Sequence, residues 1–164
     1  MKRRGNKWLC LPMCLGLGLG MTQAQAWCWS EAGQLHAIEP ELLQAIAAVE
    51  SDMLPDAVHH NSNGTRDIGL MQINSIHLPR LKAQGITEQR LLQEPCLSVE
   101  VGAQVLAGFI ARYGYNWTAV GAYNAGNSPH RQVARLRYAR KVWRRYRVLT
   151  QGQPERSLVD VSGG

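Results

Sequence analysis

The sequence lacks any apolar run long enough to cross a bilayer. Its one marked run, residues 9–21, covers 13 residues, against the roughly 20 a spanning helix needs. It also lacks an HExxH motif or a Cys/His cluster. His59 and His60 are adjacent, but neighbouring side chains rarely point at one ligand, so no metal or other cofactor is expected. Low-complexity tracts and repeats at solenoid spacing are absent, which excludes array architectures. What remains is an ordinary globular composition over 164 residues, enough for one domain with a proper core.

The first 26 residues stand apart. Lys2, Arg3, Arg4 and Lys7 precede the apolar run with no acid among them, and Ala24-x-Ala26 closes the segment. A basic start, a short apolar run and a small-residue cleavage signal describe a secretory signal peptide, cut after Ala26, in preference to an uncleaved anchor. The expected organisation is then a leader (1–26), one domain (27–150) and a disordered tail (151–164), with the mature protein exported to the periplasm and holding no stable membrane span. Removing four of the 18 lysines and arginines and none of the 12 acids lowers the net charge from +6 to +2. A nucleic-acid partner therefore loses most of its support. Cys10 and Cys14 leave with the leader, and the remaining pair, Cys28 and Cys96, is expected to form one disulfide in an oxidising compartment. Closing so long a loop is worth about 3–4 kcal/mol.

Charge is uneven along the rest. Residues 27–130 carry 5 basic and 10 acidic side chains, whereas residues 131–147 carry 8 basic ones and no acid. The basic stretch lies in the longest expected helix, 133–149, with Leu136, Ala139, Trp143, Tyr146 and Leu149 on one side. It reads either as a core helix with a solvated basic face or as a surface attracting an anionic polymer, membrane or partner.

The other expected elements are short. They are helices over 30–38 capped by Ser30, 40–52 opened by Pro40, 87–93 capped by Thr87, 98–113 capped by Ser98 and stopped at Gly114, and 117–123 capped by Asn116. Gly102 and Gly108 weaken the fourth of these unless a neighbour packs closely there. Residues 56–67 read as an exposed loop or small hairpin turning at Asn63-Gly64. Residues 68–76 (IGLMQINSI) are too apolar for a loop, and Gln72 and Asn74 within them need partners if buried.

One carboxylate stands in an informative position. Leu43, Ile46, Ala47 and Glu50 fall at i, i+3, i+4 and i+7 of the helix that ends near Asp52, so Glu50 continues an apolar stripe toward the core or a cleft. Desolvation there raises a carboxyl pKa, and an acid that keeps its proton near neutrality is what general acid catalysis requires.

Three stretches carry a resemblance: Glu50-Ser51 at the end of that helix, Gly-Leu-Met-Gln-Ile-Asn at 69–74, and Ala-Tyr-Asn-Ala-Gly at 122–126. In this order, behind a signal peptide, they resemble the lytic transglycosylases with a lysozyme-like domain, most of all the small type that accompanies secretion systems and pili. The likeness covers nearly all of residues 27–149. It implies a mainly α, lysozyme-like single domain with at most a small β-hairpin, no cofactor, peptidoglycan glycan strands as substrate, and components of a secretion or pilus apparatus as partners. It implies Glu50 as the sole catalytic acid and base, Ser51 orienting the site, and Met71, Gln72 and Asn74 along the cleft. Tyr123 and Asn124 would hold the glutamate or the substrate from the opposite wall, and Tyr138 would close the site from the last helix. The implied reaction cleaves the bond between N-acetylmuramic acid and N-acetylglucosamine without water, leaving a 1,6-anhydro sugar. This departs from the two-carboxylate rule of most glycosidases. Two alternatives stay open. A hydrolytic muramidase would recruit a second carboxylate from Asp52, Asp56 or Asp67, although Asp67 is better placed to tether its loop. A glycan-binding assembly factor would use the cleft only to dock.

Overall fold

A computed structural model describes residues 22–151. Most of the expected leader and tail lie outside the described residues. The architecture is mainly α with one small sheet. Among the described residues, seven α-helices run α1 (Thr22–His36), α2 (Pro40–Glu50), α3 (Leu78–Lys82), α4 (Glu88–Gln93), α5 (Pro95–Tyr113), α6 (Trp117–Ala125) and α7 (Gln132–Thr150). Strands β1 (Val58–His60), β2 (Arg66–Ile68) and β3 (Ile73–Asn74) form an antiparallel sheet in the order β1-β2-β3. The expected hairpin at Asn63-Gly64 is there, with Val58 opposite Ile68 and His60 opposite Arg66. The two-residue β3 extends it, setting Asn74 opposite Asp67.

α2 is the core helix. Leu43, Ala45, Ile46 and Ala47 are fully buried, and α7 and α5 pack against it. Leu106, Val99, Val101 and Ala103 of α5, Leu81 of α3 and Leu91 of α4 close the same core. Pro40 opens α2 as expected, because its fixed φ suits the first helical position and its missing N–H is not needed there. Thr87 caps α4 by accepting from Arg90 N at 3.2 Å. Asn116 caps α6 by accepting from Thr118 N at 2.9 Å and Ala119 N at 3.1 Å. Gly114 and Gly126 end their helices with φ of +80° and +70°, a conformation open to glycine at little cost.

Three expected features differ. α1 does not begin at Ser30. It starts earlier, because Cys28 and Trp29 ahead of Ser30 continue the buried face while Ser30 is exposed. α5 does not begin at Ser98 either. Pro95 takes the first turn, and Ser98 is fully buried with its Oγ accepting from Met71 N at 3.1 Å. On α7 the buried residues are Tyr138, Ala139 and Val142, while Leu136, Trp143 and Leu149 are 50%, 42% and 36% exposed. Contact with α2 and α6 selects that face, which a ranking by apolarity alone does not find. Cys28 and Cys96 form the expected disulfide, with Cα atoms 5.3 Å apart, joining α1 to the start of α5.

Candidate active site

Glu50 is the last residue of α2, and the chain leaves the helix through a sharp turn in which Asp52 and Met53 take φ of +50° and +66°. Ser51 is buried in that turn. Its Oγ donates to Leu70 O at 2.8 Å, with Ala47 O at 3.2 Å. Ser51 therefore fastens the end of the glutamate helix to the segment between β2 and β3.

That segment is bound at nearly every polar group. Gly69, at φ +72°, donates its N–H to Ala57 O at 2.7 Å. A Cβ at Gly69 would lie 2.6 Å from Leu91 O, so only glycine fits. Gln72 also takes a left-handed conformation, φ +48°. Its side-chain Nε2 donates to Gly69 O at 2.8 Å and Ala57 O at 3.1 Å, supporting its own turn. Asn74 Nδ2 donates to Asp67 Oδ1 at 2.7 Å and Thr65 Oγ1 at 3.2 Å, while its Oδ1 accepts from Ile76 N at 3.1 Å. The amides within this apolar run thus have the partners that burial demands.

α6 and α7 supply the other wall. Tyr123 donates its hydroxyl to Met71 O at 2.7 Å. Tyr138 donates to Glu50 Oε1 at 2.6 Å. Burial and the nearby carboxylates raise both phenols well above their usual range, so each remains a neutral donor. Around Glu50 the balance favours the proton. Its pKa is raised to about 7, by burial first and by the charge of Asp67, which together outweigh the lowering effects of Tyr138, Asn124 and Lys141. This is the behaviour expected of a carboxyl on an apolar helix stripe.

The cleft in front of Glu50 has a volume of about 520 Å³ and is lined by Asp67, Gln72, Ile73, Asn74, His77, Val105, Tyr123, Asn124, Arg131 and the 61–65 loop. Four expected residues face it beside Glu50: Gln72, Asn74, Tyr123 and Asn124. Met71 does not line it. Its side chain is fully buried against Gly102, and it serves the site through its carbonyl and N–H. Ser51 and Tyr138 also lie outside the lining and act on Glu50 or its neighbours from behind. The site residues expected from the sequence do not include 61–65, Ile73, His77, Val105 or Arg131. The amide-rich loop carried a signal in its composition, but it read as a turn exposed to solvent. His77 is held below its ordinary pKa by burial and by Arg80.

The candidate second carboxylates separate cleanly. Asp52 is far exposed, with Arg145 at 3.8 Å, and Asp56 is exposed; neither lines the cleft. Asp67 does, but its two oxygens accept from Asn61 Nδ2 at 2.9 Å and Asn74 Nδ2 at 2.7 Å. It ties the hairpin to β3, as expected.

Comparison with known proteins bears on this geometry. The chain matches the transglycosylase SLT domain over residues 27–145. It is 56% identical over 119 residues to invasion protein IagB of Salmonella typhimurium, a match spanning 73% of this chain and 74% of that one. It is 48% identical to protein IpgF of Shigella flexneri, over 71% and 76% of the two chains. A peptidoglycan-binding-like protein of Escherichia coli O157:H7 is 39% identical over 79% and 81% of the two chains. Among solved structures, an inactive mutant of the lytic transglycosylase Slt from Pseudomonas aeruginosa superposes with a TM-score of 0.62 at 19% identity. It covers 80% of this chain and 24% of that longer one; this likeness speaks to the lysozyme-like fold alone. Because the family match takes in every cleft residue from Glu50 to Arg131, the chain belongs to the transglycosylase SLT domain family and is a lytic transglycosylase acting on peptidoglycan.

Proposed function

We propose that Glu50 is the single catalytic acid and base of a periplasmic lytic transglycosylase that opens the wall locally for a large envelope assembly. The observation that carries this reading is a buried carboxyl with a pKa of about 7 facing a polar cleft. Glu50 begins neutral and gives its proton to the glycosidic oxygen as the bond from C1 of N-acetylmuramic acid breaks. The C6 hydroxyl of the same sugar then forms a bond to C1 and returns its proton to the Glu50 carboxylate. The product carries a 1,6-anhydro ring, no water is consumed, and Glu50 ends as it began. The acetamido group of the sugar helps to stabilise the positive centre, so no carboxylate nucleophile is required.

The neighbours suit this scheme. Gln72 and Asn124 offer amides for an acetamido sugar, and Tyr123 offers a ring edge to its face. Ser51 and Tyr138 hold the carboxyl in place. A pKa near the working pH lets one group both release and recover a proton. Similarity to a protein named an invasion protein supports a place beside a secretion or pilus apparatus, and the Cys28–Cys96 bridge supports an oxidising compartment. Purified sacculi test the assignment. Glu50→Gln should abolish release of muropeptides while leaving the circular dichroism unchanged; undiminished release refutes the role of Glu50. Product mass tests the chemistry. Anhydro ends are one water lighter than the reducing ends of a hydrolase, and reducing ends would return the second role to Asp67.

A further inference from the structure

The outer face of α7 is unexplained by the cleft chemistry. Arg137, Arg140, Lys141 and Arg144 are exposed and, with Val133 and Leu136, line a groove of about 390 Å³. No carboxylate of the described residues forms an ion pair with any of these four cations. Other α7 cations are engaged: Arg135 donates to Gly126 O and Ser128 O at 3.1 and 2.8 Å, and Arg147 lies 4.4 Å over the Trp143 ring. Leaving four like charges side by side is electrostatically unfavourable unless something anionic meets them.

The groove borders the catalytic wall. Tyr138, Lys141 and Arg145 fall at i, i+3 and i+7 on α7, hence along one edge of the helix. Tyr138 bonds Glu50 and Arg145 approaches Asp52 at 3.8 Å, so this edge lies against the end of α2. The charge of Lys141 is felt at Glu50. Arg137, Arg140 and Arg144 stand just outward of that edge. At the start of α7 the same basic surface reaches the cleft through Arg131, which lines it two residues before Val133. A strand held in the cleft therefore has a cationic groove at its side.

Peptidoglycan supplies a matching group. Each N-acetylmuramic acid carries on its lactyl arm a short peptide bearing free carboxylates, whereas the sugar backbone itself is uncharged. We infer that the α7 groove binds the carboxylates of the stem peptide attached to the strand in the cleft, so that peptide-bearing strands are preferred over bare glycan. Arginine suits this task through bidentate contact with carboxylates. Val133 and Leu136 offer an apolar patch to the peptide's alanine methyls.

The inference rests on the proposed glycan cleavage, and the test separates the two. In the Glu50→Gln background, dissociation constants are measured for soluble glycan strands carrying their peptides and for the same strands stripped by an amidase. Arg137, Arg140 and Arg144 are replaced together by glutamine, a good helix former. An exposed pair contributes a factor of about two, so the triple variant should bind peptide-bearing strands about tenfold more weakly at low salt. Its binding of stripped strands should change less than twofold, and high salt should erase the wild-type preference. Equal weakening of both ligands, or no change in either, overturns the inference. So does a variant that keeps its preference for peptide-bearing strands but loses binding to anionic phospholipid vesicles, which would make the face a membrane surface. Continued cleavage by Glu50→Gln would instead count against the catalytic role of Glu50.

Discussion

Replacing Glu50 by glutamine should stabilise the folded protein, and by an amount that depends on pH. In the unfolded chain Glu50 titrates near its ordinary 4.5, and in the folded state at about 7. Between those values the folded state binds more protons than the unfolded state, so stability falls as pH rises. This contribution is fully present below 4.5 and lost once pH has passed about 7. At 1.36 kcal/mol per pH unit of separation, the loss amounts to about 3 kcal/mol. Glutamine keeps the shape of the side chain and can still accept the Tyr138 hydroxyl, but it has no charge to bury. Chemical denaturation at two pH values measures the effect. Glu50→Gln and wild type should be nearly equal at pH 4, whereas at pH 8.5 the variant should be more stable by about 3 kcal/mol, or about 10 °C in Tm. A difference that does not vary with pH would refute the reasoning, because it would mean that Glu50 carries no desolvation cost in the folded state.

The remaining predictions follow the same contacts. Tyr138→Phe removes a donor that favours the Glu50 carboxylate, so the alkaline limb of the rate profile should move up by about one pH unit while kcat falls; a limb that stays or moves down contradicts this. Gly102→Ala would set a Cβ 2.7 Å from Met71 Cε and 2.8 Å from Met71 Cβ, costing about 1–3 kcal/mol in denaturation and lowering activity through Met71. Gly108→Ala, with nothing within 4 Å of the new Cβ, should instead be neutral or stabilising by up to about 1 kcal/mol. Replacing Cys28 and Cys96 together by serine opens a loop of sequence separation 68 and should cost about 4 kcal/mol, while activity of the folded fraction persists because neither residue lines the cleft.

Much of the fold was legible because it depends on local chemistry. The caps at Thr87 and Asn116, Pro40 at the first turn of α2 and Gly114 at the end of α5 are each specified by a few neighbouring residues. Glu50 was legible for the same reason, since its place on the stripe of Leu43, Ile46 and Ala47 is a matter of helical spacing. Where tertiary contact decides, local chemistry alone points elsewhere. Ser98 has the chemistry of a cap, but its hydroxyl is taken by Met71 N from another element. The seam of α7 runs through Tyr138, Ala139 and Val142 because α2 and α6 approach there, and no property of Leu136 or Trp143 announces that they face solvent. Gly108 has no close neighbour, so the structure offers no reason for glycine at that position.

The role of the 69–74 segment follows from the same distinction. Read as a motif, Met71 and Gln72 would touch the substrate. In the fold only Gln72 lines the cleft, and both residues also hold the walls together. Leu70 O accepts Ser51, Met71 O accepts Tyr123, Met71 N–H donates to Ser98, and Gln72 braces the turn from its own side chain. One short stretch thereby ties the ends of α2, α5 and α6 together around the glutamate. In the proposed cycle Glu50 both gives and takes a proton, so its charge changes and ligand binding alone cannot set its position. Fixing it through neutral tyrosines and backbone groups keeps the geometry independent of the proton, and burial keeps the proton available. The apolarity of the segment thus serves the chemistry directly, by excluding water from the back of Glu50 while its polar atoms hold the walls in register.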